Sequence, residues 1–125
     1  MQNSASELPA VITSLMILIV GLLHLYFLVL EMFLWTKPAG LRAFGTTPEQ
    51  AQSSKVLAMN QGLYNGFLGV GLLWSRFLRP DFDVTIFFLT CIIIAGLFGA
   101  ATASKKILYV QALPAIVALA LMHIR

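Results

Sequence analysis

Charge is what this sequence has least of. Asp, Glu, Lys and Arg together make up 10% of its 125 residues, against about 25% in a soluble globular domain. So few charges cannot clothe a water-facing surface. A soluble enzyme, a nucleic-acid-binding protein and a disordered chain are therefore excluded as first readings. Cysteine is nearly absent too. Cys91 is the only one, so no intrachain disulfide can form. It lies in an apolar run and reads as a small core hydrophobe. Signatures of familiar chemistry are also missing. The sequence contains no HExxH, ExxH or CxxC to hold zinc or a di-iron centre, and no GxSxG, P-loop or GxGxxG. His24 and His123 fall at different depths along their apolar runs, which argues against bis-histidine haem ligation. No metal and no cofactor are expected.

Apolar length is what the sequence has. Hydrophobic residues make up 59%, and the mean hydropathy is +0.89. A membrane span needs about 20 apolar residues. Four segments read as spans: residues 9–35, 56–78, 83–103 and 107–123. The last is near the lower length limit and would thin the bilayer or tilt little. The first is too long for a signal h-region, and Met1–Leu8 before it carries no Lys or Arg. Residues 36–55 form a polar loop. Within it, Thr47-Pro48-Glu49-Gln50 reads as a helix start, with Thr47 as cap, Pro48 at the first helical position and Gln50 closing a capping box. Arg79-Pro80-Asp81 and Ser104-Lys105-Lys106 read as short turns. Short connections make successive helices antiparallel neighbours. The expected fold is an all-α, integral membrane, up-down-up-down four-helix bundle forming one domain over residues 1–125.

The basic residues sit at the edges of the apolar runs, where they set topology and meet lipid headgroups. Lys37, Arg42, Lys55, Lys105 and Lys106 fall on one side; Arg76, Arg79 and Arg125 fall on the other. The excess of basic residues favours the first side as cytoplasmic. Both termini are then expected outside the cytoplasm. Trp35 and Trp74 suit anchoring positions, one near each face.

Polar side chains inside hydrocarbon are costly, so their positions carry information. Segment one holds His24 and Glu31, which lie within roughly 20° on one helical face. Segment two holds Asn60, Gln61, Tyr64 and Asn65 beside a small-residue arc of Gly62, Gly66 and Gly69. Segment four holds Tyr109 and Gln111. At about 1.5 Å rise per residue, Glu31 lies roughly 6 Å below Trp35 and His24 roughly 16 Å. Asn60 and Asn65 lie roughly 7 and 15 Å beyond Lys55, and Gln111 roughly 6 Å beyond Ile107. With Thr102 at the same end of segment three, these groups converge in the cytoplasmic half. Amides and phenols in membrane helices also serve as interhelical glue. Glu31 is harder to explain that way, because a carboxylate at that depth must be protonated, paired or hydrated. Gly62 with Gly66, and Gly96 with Gly99, read as close-packing surfaces within the chain or between protomers of a homo-oligomer.

Four blocks carry a family resemblance: His24-Leu25-Tyr26-Phe27 with Leu30-Glu31-Met32-Phe33-Leu34-Trp35; Asn60 through Leu68; Ala95 through Thr102; and Ile107 through Ala115. Together they resemble the bacterial family of domain of unknown function 1304. The resemblance covers nearly the whole chain. It implies a small multispanning inner-membrane protein and carries no activity with it.

Three functions compete on these residues. In the first, Glu31, His24, Asn60, Gln61, Tyr64, Asn65 and Gln111 line a pocket for a small lipophilic or amphipathic ligand, quinone- or isoprenoid-like. His24 and Glu31 would then be the acid–base pair if a reaction occurs. In the second, Glu31 exchanges protons for a cation in a small transporter. In the third, the chain is a structural or assembly subunit. The first reading is preferred. The expected partners are the lipid bilayer and such a ligand, and not nucleic acid.

Overall fold

A computed structural model describes residues 4–124, and all regular structure among them is helical. Arg125, counted above as an outer basic residue, lies outside the described residues, as do the first three positions. Five α-helices follow in order: α1 (Ser4–Met32), α2 (Pro38–Phe44), α3 (Pro48–Leu73), α4 (Phe82–Thr102) and α5 (Leu113–Met122). A π-helical turn, Trp74–Leu78, extends α3, and a second, Leu108–Ala112, leads into α5. Two helical stretches, Glu7–Met32 and Phe82–Thr102, are long and apolar enough to cross a membrane. The apolar stretch Leu108–Met122 is shorter.

The chain divides into two compact units. One is Leu22–Val70: the second part of α1, then α2 and most of α3. Here α1 stops at Met32, three residues before the expected end. Lys37 has φ −90° and ψ 162°, the extended backbone required ahead of Pro38, whose ring excludes the helical conformation from the residue before it. The polar stretch 36–55 therefore holds a short helix as well as a loop. Pro38 opens α2, and Gly45 closes it with φ 61°, a left-handed backbone that glycine adopts without steric cost. Thr47 then starts α3 through a reciprocal capping box. The Gln50 backbone N–H donates to Thr47 Oγ1 at 3.2 Å, and the Thr47 N–H donates to Gln50 Oε1 at 3.4 Å. Two of the N–H groups that a helix start leaves orphaned are thereby satisfied.

The other unit combines the first part of α1, from its described start to Gly21, with the chain from Gly71 onward. The α3–α4 turn is closed by the Asp81 N–H donating to the Ser75 carbonyl at 2.9 Å. Asp81 caps α4 by accepting from the Val84 N–H at 3.0 Å. Thr85 is buried, and its hydroxyl lies 3.0 Å from the Ser75 carbonyl and 2.8 Å from that of Asp81. The π turn at Trp74 is thus supplied with polar partners from α4. Helix α4 packs through Gly96 and Gly99 against the segment that leads into α5. A Cβ on Gly96 would lie 2.9 Å from Ala112 Cβ, and one on Gly99 would lie 3.2 Å from Ile107 Cγ2. The second π turn ends two residues before Pro114, which cannot donate to an α-helical ladder.

Candidate functional site

The site is built on the second part of α1 and the middle of α3. Helix periodicity puts Leu28, Glu31 and Met32 on one side of α1. On α3, Gly62 and Gly66 lie four apart and offer no side chains. The two helices close together there. A Cβ on Gly62 would lie 2.6 Å from Met32 Cγ, 3.0 Å from Glu31 Cβ and 3.2 Å from the Leu28 carbonyl oxygen. Leu28 itself fills the space over Gly66. Small residues of this kind permit close helix contact. The close approach brings a polar pair within reach. Asn65 Nδ2 donates to Glu31 Oε1 at 2.6 Å. Glu31 is 8% exposed. Among the described residues no cation sits within ion-pair distance of it.

Further along α1, the chain is anchored to α3 a second time. The Trp35 indole N–H donates to Ser54 Oγ at 3.1 Å, and Ser54 donates to the Gln50 carbonyl at 2.7 Å. The Trp35 ring also meets Phe44 of α2, with centroids 4.9 Å apart. Gly40 of α2 abuts the Leu34 carbonyl so closely that no Cβ would fit. These contacts fix the end of α1, and with it the position of Glu31.

The remaining candidates occupy different surroundings. His24 is fully buried, with its ring edge-on to Phe27 at 5.6 Å. It stands about two turns, roughly 10 Å, from Glu31 along α1. Asn60, Gln61 and Tyr64 are exposed on α3, and Tyr64 tilts against Phe67 at 6.2 Å. Gln111 belongs to the other unit, where its Nε2 donates to the Ile92 carbonyl of α4 at 3.2 Å. There it joins α4 to the π turn that leads into α5, beside the Gly96–Ala112 contact. Gly62, Gly66, Gly96 and Gly99 all face side chains of their own chain. Among the described residues no group of three or more His, Cys, Asp and Glu could hold a metal ion. Within the site, the structure thus joins Glu31 to Asn65 by a hydrogen bond.

Sequence reasoning overlooked a second polar cluster. Arg76, read only as a topology charge, donates through Nη2 to Ser14 Oγ at 3.0 Å, and its Nη1 lies 3.8 Å from Met122 Sδ. Ser14 and Arg76 stand 62 positions apart, and no local pattern announces the pairing.

Comparison with known proteins places the chain in a family. The pattern of the family described as "Protein of unknown function (DUF1304)" matches residues 18–123. The chain belongs to the DUF1304 family. That family is bacterial. A relative from Lactococcus lactis subsp. lactis (strain IL1403), named "Uncharacterized protein YpaA", is 34% identical over 112 residues, covering 87% of this chain and 94% of that protein. No solved structure matches the chain. The stretch matched to DUF1304 includes Glu31, Asn65, Arg76 and Gln111.

Proposed function

We propose that this DUF1304 protein is an integral membrane protein of four spans, and that Glu31 and Asn65 form the polar anchor of a site for a small amphipathic ligand. The apolar windows of α1 and α4 support the membrane reading, because they are only 28% and 22% buried. A core helix of a soluble protein would be mostly buried. Ile19, Ile94 and Phe98 are each more than half exposed, and hydrocarbon is the solvent that suits them. With its π turn, α3 runs from residue 48 to 78, roughly 46 Å at α-helical rise, which exceeds the hydrocarbon thickness of about 30 Å. Its first turns then project into water. The segment from Leu108 to Met122 is short for a span, and local thinning of the bilayer accommodates it. The basic loops at Lys37–Lys55 and Lys105–Lys106 favour an inner-membrane protein with both termini outside the cytoplasm.

The observation that carries the ligand reading is the buried carboxylate itself. Two amides would hold α1 to α3 as well as an acid and an amide do. An acid costs more to keep at that depth. A carboxylate offers about four acceptor sites, and Asn65 takes one of them. A ligand hydroxyl, amine or protonated quinol head would use the rest, with its apolar body against hydrocarbon.

The test is purification from a neutral detergent followed by unbiased mass spectrometry of co-purifying small molecules. A hydroxylated or amine-bearing amphiphile is expected with the wild-type protein and is expected to be missing from Glu31→Gln. An identical small-molecule profile in both preparations would overturn the ligand reading. Proton flux in liposomes that Glu31→Gln abolishes would assign the carboxylate to transport instead.

A further inference from the structure

A second place in the molecule combines a cation with an apolar groove. Arg76 lies in the π turn that extends α3, and such turns recur at functional sites. Its two side-chain partners are the Ser14 hydroxyl of α1 and the Met122 sulfur of α5. Neither is an anion. Among the described residues no carboxylate pairs with it. A guanidinium has five N–H donors. Those two contacts leave three for another acceptor.

Ser14 has a second role. With Ala10, Val11, Leu15, Leu18 and Phe77 it lines an open groove of about 290 Å³. Every other lining residue is apolar, and Phe77 directly follows Arg76. The arginine therefore stands behind the one polar residue of an otherwise hydrocarbon-like wall. Only half-buried, it remains reachable from outside. The N–H groups that remain on a guanidinium match the oxygens of a carboxylate or phosphate. The adjoining groove suits an alkyl chain.

We propose that this groove binds an anionic amphiphile, with its acyl chain along α1 and Phe77 and its anionic oxygens on Arg76. Fatty carboxylates and anionic phospholipids share this chemistry. Arg76 lies four residues before Pro80, at the end of its helical segment, where a headgroup would be found. Ser14 holds the guanidinium in place, which lowers the entropy cost of binding. The proposal rests on the membrane reading for the supply of lipid. It does not depend on Glu31.

The experiment uses the full chain in a neutral detergent, stripped of lipid. Native mass spectrometry titrates it separately with oleate, dioleoylphosphatidylglycerol and dioleoylphosphatidylcholine. The anionic ligands are expected to bind at least tenfold more tightly than the zwitterionic one. Comparing oleate with phosphatidylglycerol decides between carboxylate and phosphate. Arg76→Gln is expected to erase the preference, and Arg76→Lys to retain part of it. Leu15→Trp, which fills the groove and leaves the cation alone, is expected to weaken acyl ligands at least tenfold. Equal affinity for all three lipids overturns the proposal, as does binding that ignores Leu15→Trp. If Arg76→Gln fails to fold, Arg76→Lys and Leu15→Trp still decide. Alkaline carbonate extraction separates the two readings. A chain released from membranes overturns the membrane reading, whereas a retained chain without anionic preference overturns only the groove.

Discussion

Asn65 Nδ2 lies 2.6 Å from Glu31 Oε1, and this bond sits beside the glycine contacts of α3 with α1. Gly62 lies beside Glu31 and Met32, and Gly66 lies beneath Leu28. The glycines create the proximity, and the proximity makes the hydrogen bond possible. Packing and polarity therefore select the same register between the two helices. A shift of one residue along α3 would put a side chain where Gly62 now lies.

Removing the amide should expose the cost of the carboxylate. Asn65→Ala leaves Glu31 buried without its donor, a loss of about 1–3 kcal/mol. Glu31→Gln keeps the volume and can still accept from Asn65, so it should lose much less. Thermal unfolding in detergent, followed by size-exclusion chromatography, measures both. Equal melting of Asn65→Ala and wild type would show that the pair contributes nothing to stability. Ligand loss in Glu31→Gln without a change in melting would separate the acid's role from its packing.

The contact of α4 with the segment leading into α5 predicts an order of tolerance. A Cβ on Gly96 meets the Ala112 backbone nitrogen at 3.0 Å and the Ala112 Cβ at 2.9 Å, and neither can rotate away. A Cβ on Gly99 meets only side-chain atoms of Ile107, the nearest at 3.2 Å, and no backbone atom of that segment within 3.9 Å. Gly96→Ala should cost about 1–3 kcal/mol by overpacking. Gly99→Ala should cost less, because its contact is looser and the gain of about 1 kcal/mol in helix propensity, common to both sites, then offsets more of the cost. The same melting assay ranks the two, and the reverse order would contradict the packing described here.

The α3 cap makes a local prediction. Thr47→Ala removes the side-chain acceptor for the Gln50 N–H and should cost about 1 kcal/mol. Thr47→Ser keeps the oxygen and should cost little. Hydrogen exchange at the first turn of α3 is the sensitive readout. It should accelerate in the alanine variant alone.

How far the sequence discloses these features depends on how local they are. The capping box was legible because all its atoms come from four consecutive residues. The α3–α4 turn was legible from Arg79-Pro80-Asp81 for the same reason. Helix α2 was missed inside a polar stretch, although Pro38 and Gly45 stand at its two ends. Its stability depends on Gly40 docking against Leu34 and on Phe44 meeting Trp35, which composition does not reveal. The π turns are a shift in backbone hydrogen bonding and leave no compositional mark. Glu31 was conspicuous as an acid in an apolar run, but its partner was not. Asn60, Gln61 and Asn65 were equivalent candidates until the α1–α3 register placed Asn65 against the carboxylate. The Arg76–Ser14 contact joins distant parts of the chain and has no sequence signature.

Topology supplies the last prediction. Four spans with both termini outside put the α2–α3 connection and the Lys105–Lys106 turn in the cytoplasm, and the α3–α4 turn outside. Cys91 is the chain's one cysteine, so a Cys91→Ala background makes single-cysteine labelling direct. Gln52→Cys in the exposed first turns of α3 and Asp83→Cys at the exposed start of α4 report the two sides. Neither wild-type side chain makes a side-chain hydrogen bond among the described residues, so the substitutions should leave the fold intact. A membrane-impermeant maleimide applied to intact spheroplasts should label Asp83→Cys and should reach Gln52→Cys only after lysis. Labelling of Gln52→Cys alone would invert the orientation. Labelling of both before lysis would leave α3 on one side of the membrane and overturn the four-span reading. The experiment bears on α3 in particular, because its run of Asn60, Gln61, Tyr64 and Asn65 makes it the most polar of the proposed spans.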